Sequence, residues 1–333
     1  MIVDAGEHVA ALAWCGSRLL VVAPAEGDCF VVSRDGGKRT LSAHSGGNTA
    51  VAANIHQPLV ATAGHDGRAR VFDSRTCSQL HELKCGDAWV EHCAWSPDGT
   101  MLATAAARYL RVWKVTETES SLIFEYAAHQ STIAALRWRP DSRGIATACY
   151  GGVHLLRTET HERYAHLPWK GSLITLEWSP SGRFIAGGSQ ESTIQFWKLP
   201  YRPGEELYMD GYATKVITLA WDPTSRWLAS GGGDIITVWD TSGRGPRGTT
   251  PVQIEGHTRR IARLVFQTRG PLLASGDLDG KVFISDLKTK LRHVRKMSPA
   301  SAISALEWAP DDTALAIGTA SGTVALWEMD TPK

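Results

Sequence analysis

The sequence predicts an all-β protein closed on itself as a β-propeller of four-stranded blades, eight by count, with seven as the alternative. Three observations predict it. Tryptophans recur in two parallel series with an average period of 42 residues. Turns containing Pro-Asp or Pro-Ser fall at one place within the period, and those pairs set the backbone for type I turns. Apolar residues come in short alternating runs, and no stretch sustains the 3.6-residue period of a helix. Units of this length bury their faces only against one another, and radial stacking into a ring does that.

The first strand of each unit is an apolar run ending in an aromatic residue. HVAALAW, WVEHCAW, TIAALRW, SLITLEW, KVITLAW and AISALEW end at Trp14, Trp95, Trp138, Trp178, Trp221 and Trp308. RIARLVF ends at Phe266, and a copy without its Trp, NTAVAA, ends at Ala53. From Trp95 onward the intervals, Phe266 included, are 43, 40, 43, 45 and 42 residues. The turns that follow include SPDG at 96–99, RPDS at 139–142, SPSG at 179–182, DPTS at 222–225 and APDD at 309–312. The second strand is small and apolar, as in MLAT, FIAG, WLAS and ALAI. Small residues there allow close packing between neighbouring sheets. Third strands close at Trp113, Trp197, Trp239 and Trp327, with Phe72 and Ser285 at equivalent points and degenerate copies near Val32 and Leu156. Both series count eight units. The whole chain, 1–333, reads as one domain.

Composition excludes several classes. Net charge is +1, with 43% apolar and 21% charged residues, which is the profile of an ordinary globular protein and not of a disordered tail. Near-neutral charge argues against general electrostatic capture of nucleic acid or anionic lipid. No apolar run approaches the ~18 residues needed to cross a bilayer, and the start, MIVDAGEHVAALAW, lacks the basic region of a secretory signal. The six cysteines form no C-x-x-C pair, so free thiols in a reducing, cytoplasmic compartment are expected.

Repeats with GH or AH before the first strand and Trp-Asp after the third resemble those of the WD40 family. Here AH stands at 43–44 and 128–129, GH at 256–257, and VWD ends at Asp240. Weakened forms end at Asp73, Asp286 and Lys114. The resemblance covers essentially the whole chain. It implies a buried His, Ser/Thr, Asp, Trp hydrogen-bond network in many blades. Unit 2 offers His44, Thr62, Asp66 and Phe72; unit 7 offers His257, Ser275 and Asp279, with Ser285 in place of the Trp. Unit 5 has Trp169 and unit 6 has Tyr212 where the His belongs, so most units are expected to rely on packing. The last unit has three strands and almost nothing after them. Residues 1–5 are therefore expected to supply its outer closing strand, through Ile2 to Asp4, and to remove the open edge.

No catalytic constellation emerges. There is no G-x-S-x-G and no H-E-x-x-H. The run GDLDGK at 276–281 departs from a P-loop by one residue and lacks an EF-hand glutamate; it sits where a hairpin belongs, as does GGGD at 231–234. His161 and His166 lack further ligands, and His92 and Cys93 point to opposite faces of a strand. The reading is thus not an enzyme, with no cofactor and no metal.

The resemblance implies that the loops before the first strand and between the second and third share the face used for partners. By position that face carries Trp89, Tyr150, Arg260, Lys215, Gln190 and His65, residue types that concentrate binding energy. The expected function is a protein–protein interaction scaffold whose partners are other proteins. The alternative uses a basic rim strand holding Lys288, Lys290, Arg292, Arg295 and Lys296. It suits an acidic partner or RNA, and the protein would then be a ribonucleoprotein component. Membrane association is not expected.

Overall fold

The computed structural model describes residues 1–42, 44–243, 245–289 and 292–329. Thirty strands and one 3-10 turn, Leu287–Thr289, make up the regular structure of those residues. Eight first strands line the centre: Val9–Cys15, Asn48–Ala53, Val90–Trp95, Ala135–Trp138, the second half of Arg163–Trp178, Thr218–Trp221, Ile261–Phe266 and Ile303–Trp308. Each packs against the next, and the last packs against the first. The ring is therefore closed by side-chain packing as well as by hydrogen bonding.

The hydrogen-bonded sheets number seven, six of four strands and one of six. That matches the alternative count of seven; among the described residues eight separate sheets are not found. The difference has a local cause. Arg163–Trp178 runs unbroken from the outer edge of unit 4, where His166 faces His154, to the inner edge of unit 5, where Trp178 faces Ile185. One continuous strand thus fuses two repeats into one sheet, so eight repeats make seven sheets.

Ile2–Asp4 pairs antiparallel with the last strand, Thr323–Glu328, in the register Ile2↔Ala325, Val3↔Val324 and Asp4↔Thr323. Val3 and Ala5 pack onto the core shared by units 8 and 1. The second strands are almost wholly buried, as in Leu59–Gly64 and Ala314–Thr319. Their glycines mark where sheets touch: a Cβ on Gly318 would lie 2.6 Å from Val9, and one on Gly276 would lie 2.6 Å from Ile303.

The periodic tryptophans have a second role beyond filling space. Trp14 Nε1 donates to the Glu307 carbonyl at 3.1 Å, Trp95 to Ala52 at 3.2 Å, Trp138 to Ala94 at 2.8 Å and Trp308 to Val265 at 3.1 Å. Each acceptor belongs to the first strand of the preceding unit, so the indole bolts one unit to the last. Trp178 and Trp221 occupy the same positions, but their indole N–H groups are buried without a partner among the described residues.

The internal networks differ from expectation in two places. In unit 7 the acid is Asp277, 2.8 Å from His257 Nδ1, while Ser275 takes Nε2 at 2.8 Å. Asp279 was the expected acid; it instead accepts from the Thr258 hydroxyl at the surface. Asp277 wins because its side chain is fully buried beside His257 and its other oxygen caps the hairpin, accepting from the amides of Asp279 and Lys281. In unit 6 the Tyr212 side chain replaces the histidine rather than abolishing the network: its hydroxyl lies 2.6 Å from the Ser230 hydroxyl and accepts from Trp239 Nε1 at 2.9 Å. Unit 2 holds its expected set, with His44 2.8 Å from both Asp66 and Thr62. Unit 4 adds His129, bonded to Thr147 at 2.7 Å and to the Arg108 carbonyl at 2.9 Å.

Candidate interaction surfaces

The end of the ring bearing the loops before the first strands is built by a repeated backbone device. The start of a unit donates to the hairpin of the unit before it: Asn48 to Ala25, Ile133 to Ala107, Val216 to Ser189 and Ile261 to Gly233. Within a unit the same two loops also bond, as Gln190 to Ser172 and Leu278 to Arg260. These bonds hold the two loop sets together on one end, and side chains there project from a rigid frame.

Trp89 and His65 are brought into contact across units 3 and 2. Trp89 is 57% exposed, yet its ring stacks on His65 with centroids 4.0 Å apart and planes 22° from parallel. His65 is itself fixed, with Nδ1 on the Gly46 carbonyl. An exposed indole held in one orientation loses little entropy when a partner covers it. Tyr150, 56% exposed, stands at the unit 4 hairpin, its amide bonded to the Ser131 hydroxyl at 3.0 Å. Between them Arg108 and Arg111 lie against the Tyr109 ring at 5.7 and 5.3 Å. The remaining candidates are spread around the end, one per unit. Gln190 is exposed, while Lys215 and Arg260 are half-buried. The Arg260 Nε is sealed from solvent without a partner among the described residues, so this side chain is partly committed to packing.

On the rim, the last strand of unit 7 is Arg292–Met297. Lys288 and Lys296 are exposed and Arg295 is half-buried. Lys290 lies outside the described residues, and the strand contains Arg292.

Residues that the sequence reading passed over line the central channel. The position before the series tryptophan carries Arg137, Glu177 and Glu307, and Arg137 pairs with Glu177 at 2.7 Å. Burial pushes the Glu307 carboxyl up to about 7, with Arg137 pulling the other way. His92 is driven down to about 4 by burial and by Arg137. The signal was present in LRW, LEW and LEW: a charge one residue before a buried aromatic in a strand must face the opposite side, here the channel. Among the described residues, no three metal-binding side chains come together. His129 and His154 stack at 4.7 Å, but burial pushes them down to about 4 and about 3. His129 has both nitrogens occupied, and His154 Nδ1 faces the Tyr126 hydroxyl. All six cysteines are unpaired. No helix of the described residues is long and apolar enough to cross a membrane.

Closed four-stranded repeats with interlocking loop ends define a repeat propeller. The family model for the WD domain, G-beta repeat, matches residues 38–73, 77–114, 158–198, 205–240, 248–286 and 291–328, and the chain belongs to the WD40 family. Among curated relatives, telomerase protein component 1 of Rattus norvegicus is 22% identical over 291 residues, 82% of this chain and 11% of that protein. Actin-interacting protein 1 of Drosophila melanogaster is 23% identical over 291 residues, 82% of this chain and 40% of that protein. The chain thus spans well under half the length of these relatives. Among solved structures, the computationally designed Ika8 protein superposes with TM-score 0.83 at 22% identity, covering 98% of both chains. Chaetomium thermophilum Sqt1, bound to the N-terminus of the ribosomal protein L10, superposes with TM-score 0.83 at 19% identity, covering 97% of both. Both likenesses establish the fold alone.

Proposed function

We propose that the chain is a non-catalytic scaffold that captures a segment of another protein on the loop end carrying Trp89. The observation that carries this reading is the Trp89–His65 stack: a large indole more than half exposed, already held in one orientation. Tyr150 and the Arg108–Tyr109 pair extend the surface across units 3 and 4. Aromatic and arginine side chains of this kind supply most of the energy at protein interfaces. The Sqt1 likeness lends support, since a ring of this shape there holds the N-terminus of a ribosomal protein. Free thiols suit a cytoplasmic setting. The alternative, an RNA-associated role for the 288–296 rim, rests on exposed Lys288 and Lys296.

The test is affinity capture from source lysate, read by mass spectrometry, with the intact chain beside a Trp89→Ala/Tyr150→Ala/Arg260→Ala version. A protein retained by the first and lost by the second is expected. Retention of the same proteins by both overturns the choice of face. Recovery of RNA-bound proteins that nuclease abolishes and the substitutions spare moves the function to the basic rim, where binding must fall steeply with salt.

A further inference from the structure

On the opposite end of the ring, the connection from the third to the fourth strand is long in two neighbouring units. In unit 5 it joins Ile194–Lys198 to Leu207–Met209, and in unit 6 it joins Ile236–Asp240 to Val252–Ile254. A groove of about 530 Å³ lies between them, lined by Phe196, Lys198, Pro200, Arg202, Leu207 and Arg247, with Glu205 also in its lining. The unit 6 connection is drawn down onto unit 5. Arg183 donates to the Gly243 carbonyl at 3.2 Å, and Gly245, at φ +110, passes so close that a Cβ would sit 3.1 Å from the Phe196 ring. Only glycine takes that backbone conformation at such an approach without strain.

The charge in this groove is unbalanced. Lys198 is half-buried and Arg247 exposed, and neither has a hydrogen-bond or ion-pair partner among the described residues. Arg202 reaches Glu205 only at 3.8 Å, with side chains 75% and 52% exposed, a pairing worth little in water. The nearby Glu206 carboxylate is taken by the Gly204 amide at 2.8 Å and the Tyr201 hydroxyl at 3.3 Å. Among the described residues, three cations over a floor of proline, leucine and phenylalanine thus face one weakly held acid.

We propose that this groove docks an acidic peptide segment carrying one apolar side chain. Carboxylates would meet Lys198, Arg202 and Arg247, with charge-assisted hydrogen bonds at the arginines, while the apolar side chain would lie on Pro200 and Leu207. Charge complementarity selects this occupant. Nucleic acid needs a longer track of cations than three, and a chain of net charge +1 supplies no wider field. The groove lies at the end away from Trp89, so a peptide held there leaves the proposed Trp89 surface uncovered.

The experiment is fluorescence anisotropy of the full chain with a labelled nonapeptide of glutamate and aspartate around a central leucine. Binding is expected to weaken with rising salt. It should weaken at least about tenfold with Lys198→Glu/Arg247→Glu, and again when the leucine becomes glycine. Trp89→Ala/Tyr150→Ala should leave it unchanged, which separates this site from the loop end. Lys198→Gln/Arg247→Gln reads the same contacts without charge reversal, and melting curves verify folding of each variant. Absence of peptide binding, or equal binding by the folded charge-changed variants, overturns the proposal. So does a labelled oligouridylate that binds the groove where the peptide does not.

Discussion

Units 2 and 7 hold their places differently from units 1, 3, 4 and 8. The latter four are bolted to the unit before them by an indole N–H on a neighbouring carbonyl. Units 2 and 7 have Ala53 and Phe266 at that point and cannot make the bond. They are also the units in which a buried histidine is hydrogen-bonded to an aspartate and a hydroxyl together. The difference teaches that the ring uses two fastenings: one reaches between units, and the other stiffens a unit from within. Units 5 and 6 have neither in full, since Trp178 and Trp221 lack acceptors among the described residues. The long connections and the basic groove occur in that same sector.

The largest effect should come from His257→Ala. It strips Asp277, fully buried, of its histidine and leaves Ser275 unpaired, at a cost of about 3 kcal/mol by chemical denaturation. His129→Ala, in a bolted unit without an acid, should cost clearly less; equal losses would break the distinction. Deleting residues 1–6 removes the pairing of Ile2–Asp4 with the last strand and bares an edge, with an expected loss of about 2 kcal/mol. An unchanged melting curve would mean that the ring does not depend on this closure. Next, Trp138→Phe should cost about 1 kcal/mol more than Trp178→Phe, because only the former orphans a neighbouring carbonyl.

A further effect depends on pH. Burial raises the Glu307 carboxyl from 4.5 to about 7. A group raised in the folded state favours folding in its protonated form, so its contribution is full below 4.5 and is lost as pH rises through about 7. Glu307→Gln should therefore melt a few degrees above the parent at pH 8, and the gap should close toward pH 4.5. A gap independent of pH would show that the channel does not perturb this carboxylate.

Much of the ring was legible because its grammar is local. The Trp period, the Pro turns and the alternation all report strands that pair with sequence neighbours, and even the degenerate first strand ending at Ala53 falls where the period puts it. What escaped was set by contacts between repeats. Nothing in the local sequence says that Arg163–Trp178 stays extended through Trp169 and Lys170 and merges two sheets. Asp277 and Asp279 are equivalent on paper, and only burial selects between them. By residue type Tyr212 is a gap in the network, yet by reach it is not: a phenol spans to Ser230 as an imidazole does. Trp89 was singled out by position, but its stack on His65 depends on how units 2 and 3 abut. The groove was invisible because it forms between two connections that are separate in sequence.

The most direct test of the two-fastening account is native-state hydrogen exchange of the intact chain beside His257→Ala. The account predicts that the variant loses protection locally, in Thr218–Trp221 and Ile261–Phe266, where no indole bolts unit 7 to unit 6. The bolted strands Val90–Trp95 and Ala135–Trp138 should keep theirs. Uniform loss around the ring, or no local loss at units 6 and 7, would contradict it.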